Sequence, residues 1–389
     1  MTEPRTRAVG GAAAGLEMEG ARLVLLGVPP GTEVGVDMNS WNVGEKFLGI
    51  RLIPPGIHFI YYSSVNLAQR TTAPRTGFWK QFGRGETMVK KWEKTTEQVV
   101  DVTEEDRERV VADLRSIEHR LGPYPFESWK KWISLSNHIS GATLVRLEPL
   151  NKTVSSVADL MPDPDAGANT EVEAEEDPRL PAMVSRPGSR IRYTALPSSR
   201  YPPGSSPADI SRHSVDSSHR LAGLLASLAA IYGDAVSSSM SGRDTQAELL
   251  AETQFAFLCF LVGMNLDSFE QWKALVALLC RCDAAMVTHS ELFNKLIGVL
   301  FYQMQEVPED FFVDIVSSNN FLIDCLHSLF TNGKHNNEID VQLKEKLKRF
   351  ENNVTKRFGW DFSEELEDEA PVVVEEISSD QSMNSAPAL

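Results

Sequence analysis

Ile53-Pro54-Pro55-Gly56-Ile57-His58-Phe59-Ile60-Tyr61-Tyr62-Ser63-Ser64 is the stretch on which the fold turns. Pro54 and Pro55 fix two φ angles, and Gly56 is free to take a positive one, so the triplet reads as a rigid turn. The aromatic and β-branched run behind it reads as a strand. On a strand, Ile57, Phe59 and Tyr61 face one way and His58, Ile60 and Tyr62 the other. Both faces are largely apolar, so the strand is expected to be covered on both sides. One His and two Tyr in one strand also invite an active-site reading.

Working outward, short apolar runs at 23–28, 47–53, 57–62 and 87–92 are separated by Gly- and Pro-rich turns. Strands of this length and spacing suggest a small sandwich or barrel-like unit. Thr103 is placed to cap a helix carrying Val110, Leu114, Ile117 and Leu121, with Gly122-Pro123 ending it. A second helix follows Pro125 with Trp129, Trp132, Ile133 and Ile139 in register.

Residues 151–190 change character: Asp163, Asp165, Glu171, Glu173, Glu175, Glu176 and Asp177 crowd among Pro, Ala and Gly, a composition too poor in apolar area to fold alone. Residues 190–195 form a short strand candidate. The Ser-, Pro- and Arg-rich stretch 198–218 reads as a polar loop in preference to a phosphorylated region.

From Pro207 the pattern is helical. A first helix is expected over 207–231, and Thr245 with Glu248 reads as a capping box for the next. That helix becomes apolar on all sides by Phe255, which places it centrally. Further stripes are Phe269, Trp272, Val276 and Leu279; Leu292, Leu296, Val299 and Leu300; and Leu322, Cys325, Leu326 and Leu329, stopped by Asn332-Gly333. Pro308 suits the first turn of another helix. Leu343, Leu347, Phe350, Val354 and Phe358 mark an amphipathic last helix, and short connections favour antiparallel neighbours.

The expected class is therefore α+β. A β-rich N-terminal domain over 17–150, with appended helices, follows a disordered 1–16. An acidic linker over 151–190 leads to an all-α C-terminal domain over 191–362 and an acidic tail over 363–389. That tail carries Glu364, Glu365, Glu367, Asp368, Glu369, Glu375, Glu376 and Asp380 without one basic residue. Embedded in it is Pro371-Val372-Val373-Val374, a β-branched run that no core claims.

The chain has 389 residues and a formal net charge of −16, which disfavours non-specific affinity for nucleic acid or an anionic membrane. Cys259, Cys280, Cys282 and Cys325 all fall within apolar helical patterns, and read as reduced buried thiols of an intracellular protein. No apolar run approaches the ~18 residues of a membrane helix, and 23–28 is too short for a signal-peptide core. The expected setting is soluble, in cytoplasm or nucleus.

Motifs for chemistry are missing: no phosphate-binding glycine loop, H-E-x-x-H, C-x-x-C or G-x-S-x-G occurs. Cys280-Arg281-Cys282 has a spacing that does not share a helix face, so no metal is expected. His58 has no evident nucleophile or carboxylate partner in sequence, which favours a structural role. Trp129 and Trp132 read as helix packing onto the sheet. Lys344, Lys346, Lys348, Arg349, Lys356 and Arg357 make the last helix basic, more naturally a solvated face or a partner for the acidic tail than an RNA surface. The tail is the better functional lead, since a charged segment with one extended apolar motif suits strand addition to another protein's sheet edge.

Taken together, several motifs resemble the Aar-two family of splicing factors. They are Pro30-Gly31-Thr32-Glu33-Val34-Gly35-Val36-Asp37-Met38-Asn39-Ser40-Trp41, Ile53 to Phe59 as quoted above, Gly122-Pro123-Tyr124-Pro125, and Trp132-Ile133-Ser134-Leu135-Ser136-Asn137. Farther along come Phe269-Glu270-Gln271-Trp272-Lys273, Leu278-Leu279-Cys280-Arg281, Asp310-Phe311-Phe312-Val313-Asp314-Ile315-Val316, Phe358-Gly359-Trp360-Asp361 and Ala370-Pro371-Val372-Val373-Val374-Glu375. The acidic stretch 160–190 has no counterpart. The resemblance implies a non-enzymatic assembly factor of the U-five small nuclear ribonucleoprotein, without a cofactor and with a VHS-like helical domain. It also implies binding to the spliceosomal scaffold protein Prp-eight at its RNase H-like and Jab/MPN-like domains, and exclusion of the particle's helicase. Val372, Val373 and Val374 match the tail that adds a strand between those two domains. Two rival readings remain: a trafficking-type adaptor that binds peptide motifs in a helical groove, and a hydrolase using His58.

Overall fold

The computed structural model describes residues 20–66, 71–163, 183–233, 244–307 and 321–362. Strands β1 (Ala21–Leu26), β2 (Glu33–Val36), β3 (Asn39–Asn42), β4 (Gly49–Ile53) and β5 (Gly56–Ser63) come first. They are followed by the small pair β6 (Val65–Asn66) and β7 (Thr71–Thr72), then β8 (Thr76–Phe82), β9 (Thr87–Glu93) and β10 (Gln98–Asp101). Helices α1 (Glu104–Ala112) and α2 (Leu114–Ile117) lead to β11 (Leu121–Pro123). Then come α3 (Trp129–Ser136), α4 (Gly141–Leu147), β12 (Val154–Ser155), β13 (Leu160–Pro162) and β14 (Met183–Ser185). The helical half comprises α5 (Pro207–Val215), α6 (Ser218–Gly233), α7 (Thr245–Leu261), α8 (Leu266–Cys280), α9 (Ala284–Thr288), α10 (Ser290–Glu306), α11 (Phe321–His335) and α12 (Val341–Phe358). The class is α+β, as the sequence patterning predicts.

Two five-stranded sheets form a sandwich, one mixed in the order β10-β9-β1-β4-β11 and one antiparallel in the order β12-β8-β5-β2-β3. The space between them is filled by Leu23, Leu25 and Ile50 from the first sheet and Val34, Ile60, Tyr62, Phe78 and Phe82 from the second. β5 is central in its sheet, pairing with β2 on one side and β8 on the other. Tyr61 stands between two glycines in register, Gly35 and Gly77. A Cβ on Gly35 would fall 2.1 Å from the Tyr61 ring, so the ring needs that residue bare.

The outward face of β5 is covered as well. Phe59, Tyr61 and Trp79 belong to one continuous core with Trp132 and Leu135 of α3, Leu144 of α4 and the helices from α6 onward. Trp79 stacks on Phe255 of α7, with ring centroids 5.0 Å apart, and on Trp132, 5.9 Å apart. Twelve consecutive residues of α7, from Glu248 to Cys259, are buried, which makes it the central helix its all-round apolar pattern predicts. The polar residues among them cross the seam between the halves. Arg146 Nη1 donates to Glu252 Oε2 at 2.6 Å, and Gln254 bonds Asn137 and the His138 amide at 2.8 Å each. Buried charge is tolerated there because it is paired and hydrogen-bonded.

Five local expectations change. The helix begun at Thr103 stops at Ala112 and is followed by a single turn, after which Leu121 is strand and not helix. Pairing with the open edge of β4 outweighs another helical turn. Residues 190–195 make no ladder: the Arg192 amide donates to the Leu147 carbonyl, and a carboxylate, Glu252, takes the Thr194 amide. The helix expected over 207–231 is two helices. Asp216 ends the first, and its carboxylate then accepts from the Ser218 and Asp283 amides. The cap of α7 is Asp244, not Thr245, and Glu248 turns inward to Thr143 and Arg146. Finally, α11 runs through Asn332-Gly333 to His335. A Cβ on Gly333 would lie 2.5 Å from Leu347, so this glycine lets α11 and α12 approach each other and does not stop the helix.

Candidate functional site

His58 has the carboxylate partner that the sequence does not disclose. β2 ends at Val36, and Asp37 follows in a left-handed conformation, φ 55°, which Asp tolerates better than most residues. This turn aims its carboxylate at the middle of β5. Oδ2 lies 2.7 Å from His58 Nδ1 and accepts from Tyr124 Oη at 2.6 Å, while Oδ1 accepts from the Phe59 amide at 3.0 Å. The other ring nitrogen, Nε2, meets the Pro54 carbonyl at 2.8 Å, so the Pro-Pro-Gly turn closes the cluster. Trp132 stacks over His58 with centroids 6.5 Å apart, and Tyr124 meets it edge-on at 5.5 Å.

Asp-His-Tyr is a constellation that elsewhere moves protons, but here it braces the fold. Asp37 is 0% exposed and His58 1%, and both ring nitrogens are already bonded to protein oxygens. Burial, with the Asp37 charge beside it, pushes the Tyr124 hydroxyl far above its ordinary pKa and keeps it a donor. A general base needs reach to a substrate proton, and no face of this imidazole is open to one.

Tyr62 carries its hydroxyl at a rim, where it accepts from the Val99 amide on the edge strand β10 at 3.0 Å. That rim belongs to a groove of about 1340 Å³ between the β10 edge of one sheet and the β12 edge of the other. The β13–β14 pair stands over it, and its walls mix Lys90, Lys152 and Arg186 with Asp101, Asp159 and Asp267. Lys90 is held by Asp101 and Arg186 by Asp159, so the groove is close to charge-balanced. Of the Trp pair, Trp132 is fully buried at the seam, whereas Trp129 is 37% exposed and packs only in part.

The four cysteines are free and buried. Burial raises every one of their thiols, Cys325 to about 12. Among the described residues no group of three or more His, Cys, Asp and Glu is placed to hold a metal ion, and no helix is long and apolar enough to cross a membrane. Val372, Val373 and Val374 lie outside the described residues, as does the 310–316 motif.

Two family models match the chain: the AAR2 N-terminal domain over residues 19–149 and the AAR2 C-terminal repeat region over residues 193–363. The AAR2 homologs of Macaca fascicularis and Homo sapiens are 41% and 40% identical over 378 residues, covering 92% of this chain and 94% of each relative. The A1 cistron-splicing factor AAR2 of Saccharomyces cerevisiae is 24% identical over 317 residues, 78% of this chain and 82% of that one. Similarity of this extent reaches across both sheets, the seam and the helical half, and the chain belongs to the AAR2 family of splicing factors.

Proposed function

We propose that this protein is a non-enzymatic assembly factor that binds the scaffold protein Prp-eight within a U-five small nuclear ribonucleoprotein precursor. It docks as one body and adds a strand of its tail, Val372 to Val374, to the scaffold between the RNase H-like and Jab/MPN-like domains. Its bulk there obstructs the helicase until the factor leaves. It works in both cytoplasm and nucleus.

The observation that carries this reading is the continuous core from Phe59 and Trp79 through Phe255 to the last helices. Two halves that share one interior present a fixed pair of surfaces, which is what a steric blocker requires. The closure of His58 by Asp37 and Pro54 supports a binding role over hydrolysis. Titrating purified scaffold with the full chain and with a chain ending at Phe362 tests the reading. Affinity falling at least tenfold with an unchanged melting temperature supports it, and equal affinities refute the part given to the tail. Competition with the helicase for the scaffold tests the blocking role separately.

A further inference from the structure

A sandwich has open sheet edges, and an unguarded edge pairs with any strand that reaches it. Three edges here are interrupted. On β10, the Val99 amide is taken by the Tyr62 hydroxyl. On β12, Asn265 Nδ2 donates to the Ser155 carbonyl at 2.8 Å. On β11, the Leu121 amide is spent on the Glu118 carbonyl, and Pro123 has no amide to give.

The edge at β3 carries none of these devices. Its ladder to β2 runs in step, without a bulge, from Glu33 opposite Asn42 to Val36 opposite Asn39, and the Val43 amide extends it to the Thr32 carbonyl. Bonded and unbonded residues alternate along an antiparallel pair. Asn39, Trp41 and Val43 therefore turn their backbone groups toward β2, and Ser40 and Asn42 turn theirs outward. Neither outward amide has a partner among the described residues. Trp41 stands between them, opposite Val34 and 44% exposed. No charged residue lies in Asn39-Ser40-Trp41-Asn42, the kind of residue that commonly keeps strangers off an edge. Glu33 beside it is already held by the Ser40 hydroxyl at 2.7 Å and by Arg75 at 2.9 Å.

We propose that β3 is an acceptor edge, on which an extended, uncharged segment of another protein pairs as an added strand with an apolar side chain against Trp41. The match is one of backbone groups and apolar contact, because the edge offers no charge to pair. A second copy of this chain is the wrong occupant. Four residues of strand cover about 14 Å, a contact well short of the roughly 1,200 Å² that a stable pair of folded proteins buries. Two bodies each carrying −16 also repel. A flexible segment needs no such area, since backbone hydrogen bonds hold it and one aromatic anchor adds to them. This edge accepts a strand, whereas the tail discussed above donates one, so the two sites stand or fall separately.

Calorimetric titration of the full chain with a blocked Ser-Val-Thr-Val-Thr-Ser peptide tests the edge. Saturable binding is expected, with the Ser40 and Asn42 amides exchanging more slowly in its presence and those of Gln98 to Asp101 unchanged. Asn42→Pro deletes one outward amide without touching the β2 ladder, at the kind of position where proline is tolerated. It should weaken binding about fivefold, the loss of one hydrogen bond. Trp41→Ala should weaken it about tenfold or more, as the loss of an aromatic anchor does. Melting temperatures within about 3 °C of the parent separate these effects from loss of fold. No saturation at millimolar peptide overturns the proposal, as does binding that Asn42→Pro and Trp41→Ala leave unchanged. Self-association in sedimentation that Asn42→Pro abolishes would give the edge to a second copy and overturn it equally.

Discussion

The two faces of β5 are built from the same kinds of residue and do different work. On the inner face, His58, Ile60 and Tyr62 point into the sandwich, and the polar atoms among them are satisfied locally by Asp37, Pro54 and Val99. On the outer face, Ile57, Phe59 and Tyr61 point at the helical half, and that side is joined by aromatic stacking and a band of buried charge. The inner face makes a sheet sandwich. The outer face makes two halves into one body. A strand polar on its outer face would leave the halves independent, and a blocking role would need another explanation.

That contrast can be broken from the outside first. Phe255→Ala removes a fully buried ring from the seam and should cost about 3–5 kcal/mol. Urea unfolding followed by separate probes on the sheets and helices should then split into two transitions, whereas the parent should unfold in one. Asp37→Ala attacks the inner face. It strips the acceptor from His58 Nδ1, Tyr124 Oη and the Phe59 amide together, for about 3 kcal/mol, and should keep a single transition. Tyr62→Phe is milder. It removes one acceptor at the groove rim, so about 1 kcal/mol in chemical denaturation is expected. Smallest in effect is thiol alkylation. With all four thiols buried and raised by that burial, none should react appreciably near neutral pH until denaturant is added.

Much of this was legible in the sequence. The runs at 47–53, 57–62 and 87–92 fall on β4, β5 and β9, and the run at 23–28 on β1 with a slip of two residues. The apolar stripes of α10, α11 and α12 fall among the buried residues of those helices, with Phe358 only partly covered, because periodicity reports directly on which face meets the core. Strand β8 escaped because Lys80 and Gln81 interrupt its apolar run, although its Phe78 and Trp79 serve opposite faces. Asp37 escaped because it lies 21 residues from His58 and only the β2–β5 pairing brings them together. The available signal was an Asp set directly between Val34-Gly35-Val36 and Met38. Such long-range polar contacts carry no periodicity, and so local reading finds elements more readily than sites.

In the proposed mode of action, a fused body works through a tail that adds a strand. Proline tests this most directly, since it cannot donate to a ladder yet leaves the tail's charge unchanged. Calorimetric titration of the scaffold with Val373→Pro, beside Val373→Thr as the tolerated change, should give at least a tenfold loss for Pro, near-parent affinity for Thr and one melting temperature for all three chains. Proline binding as tightly as the parent would contradict strand addition.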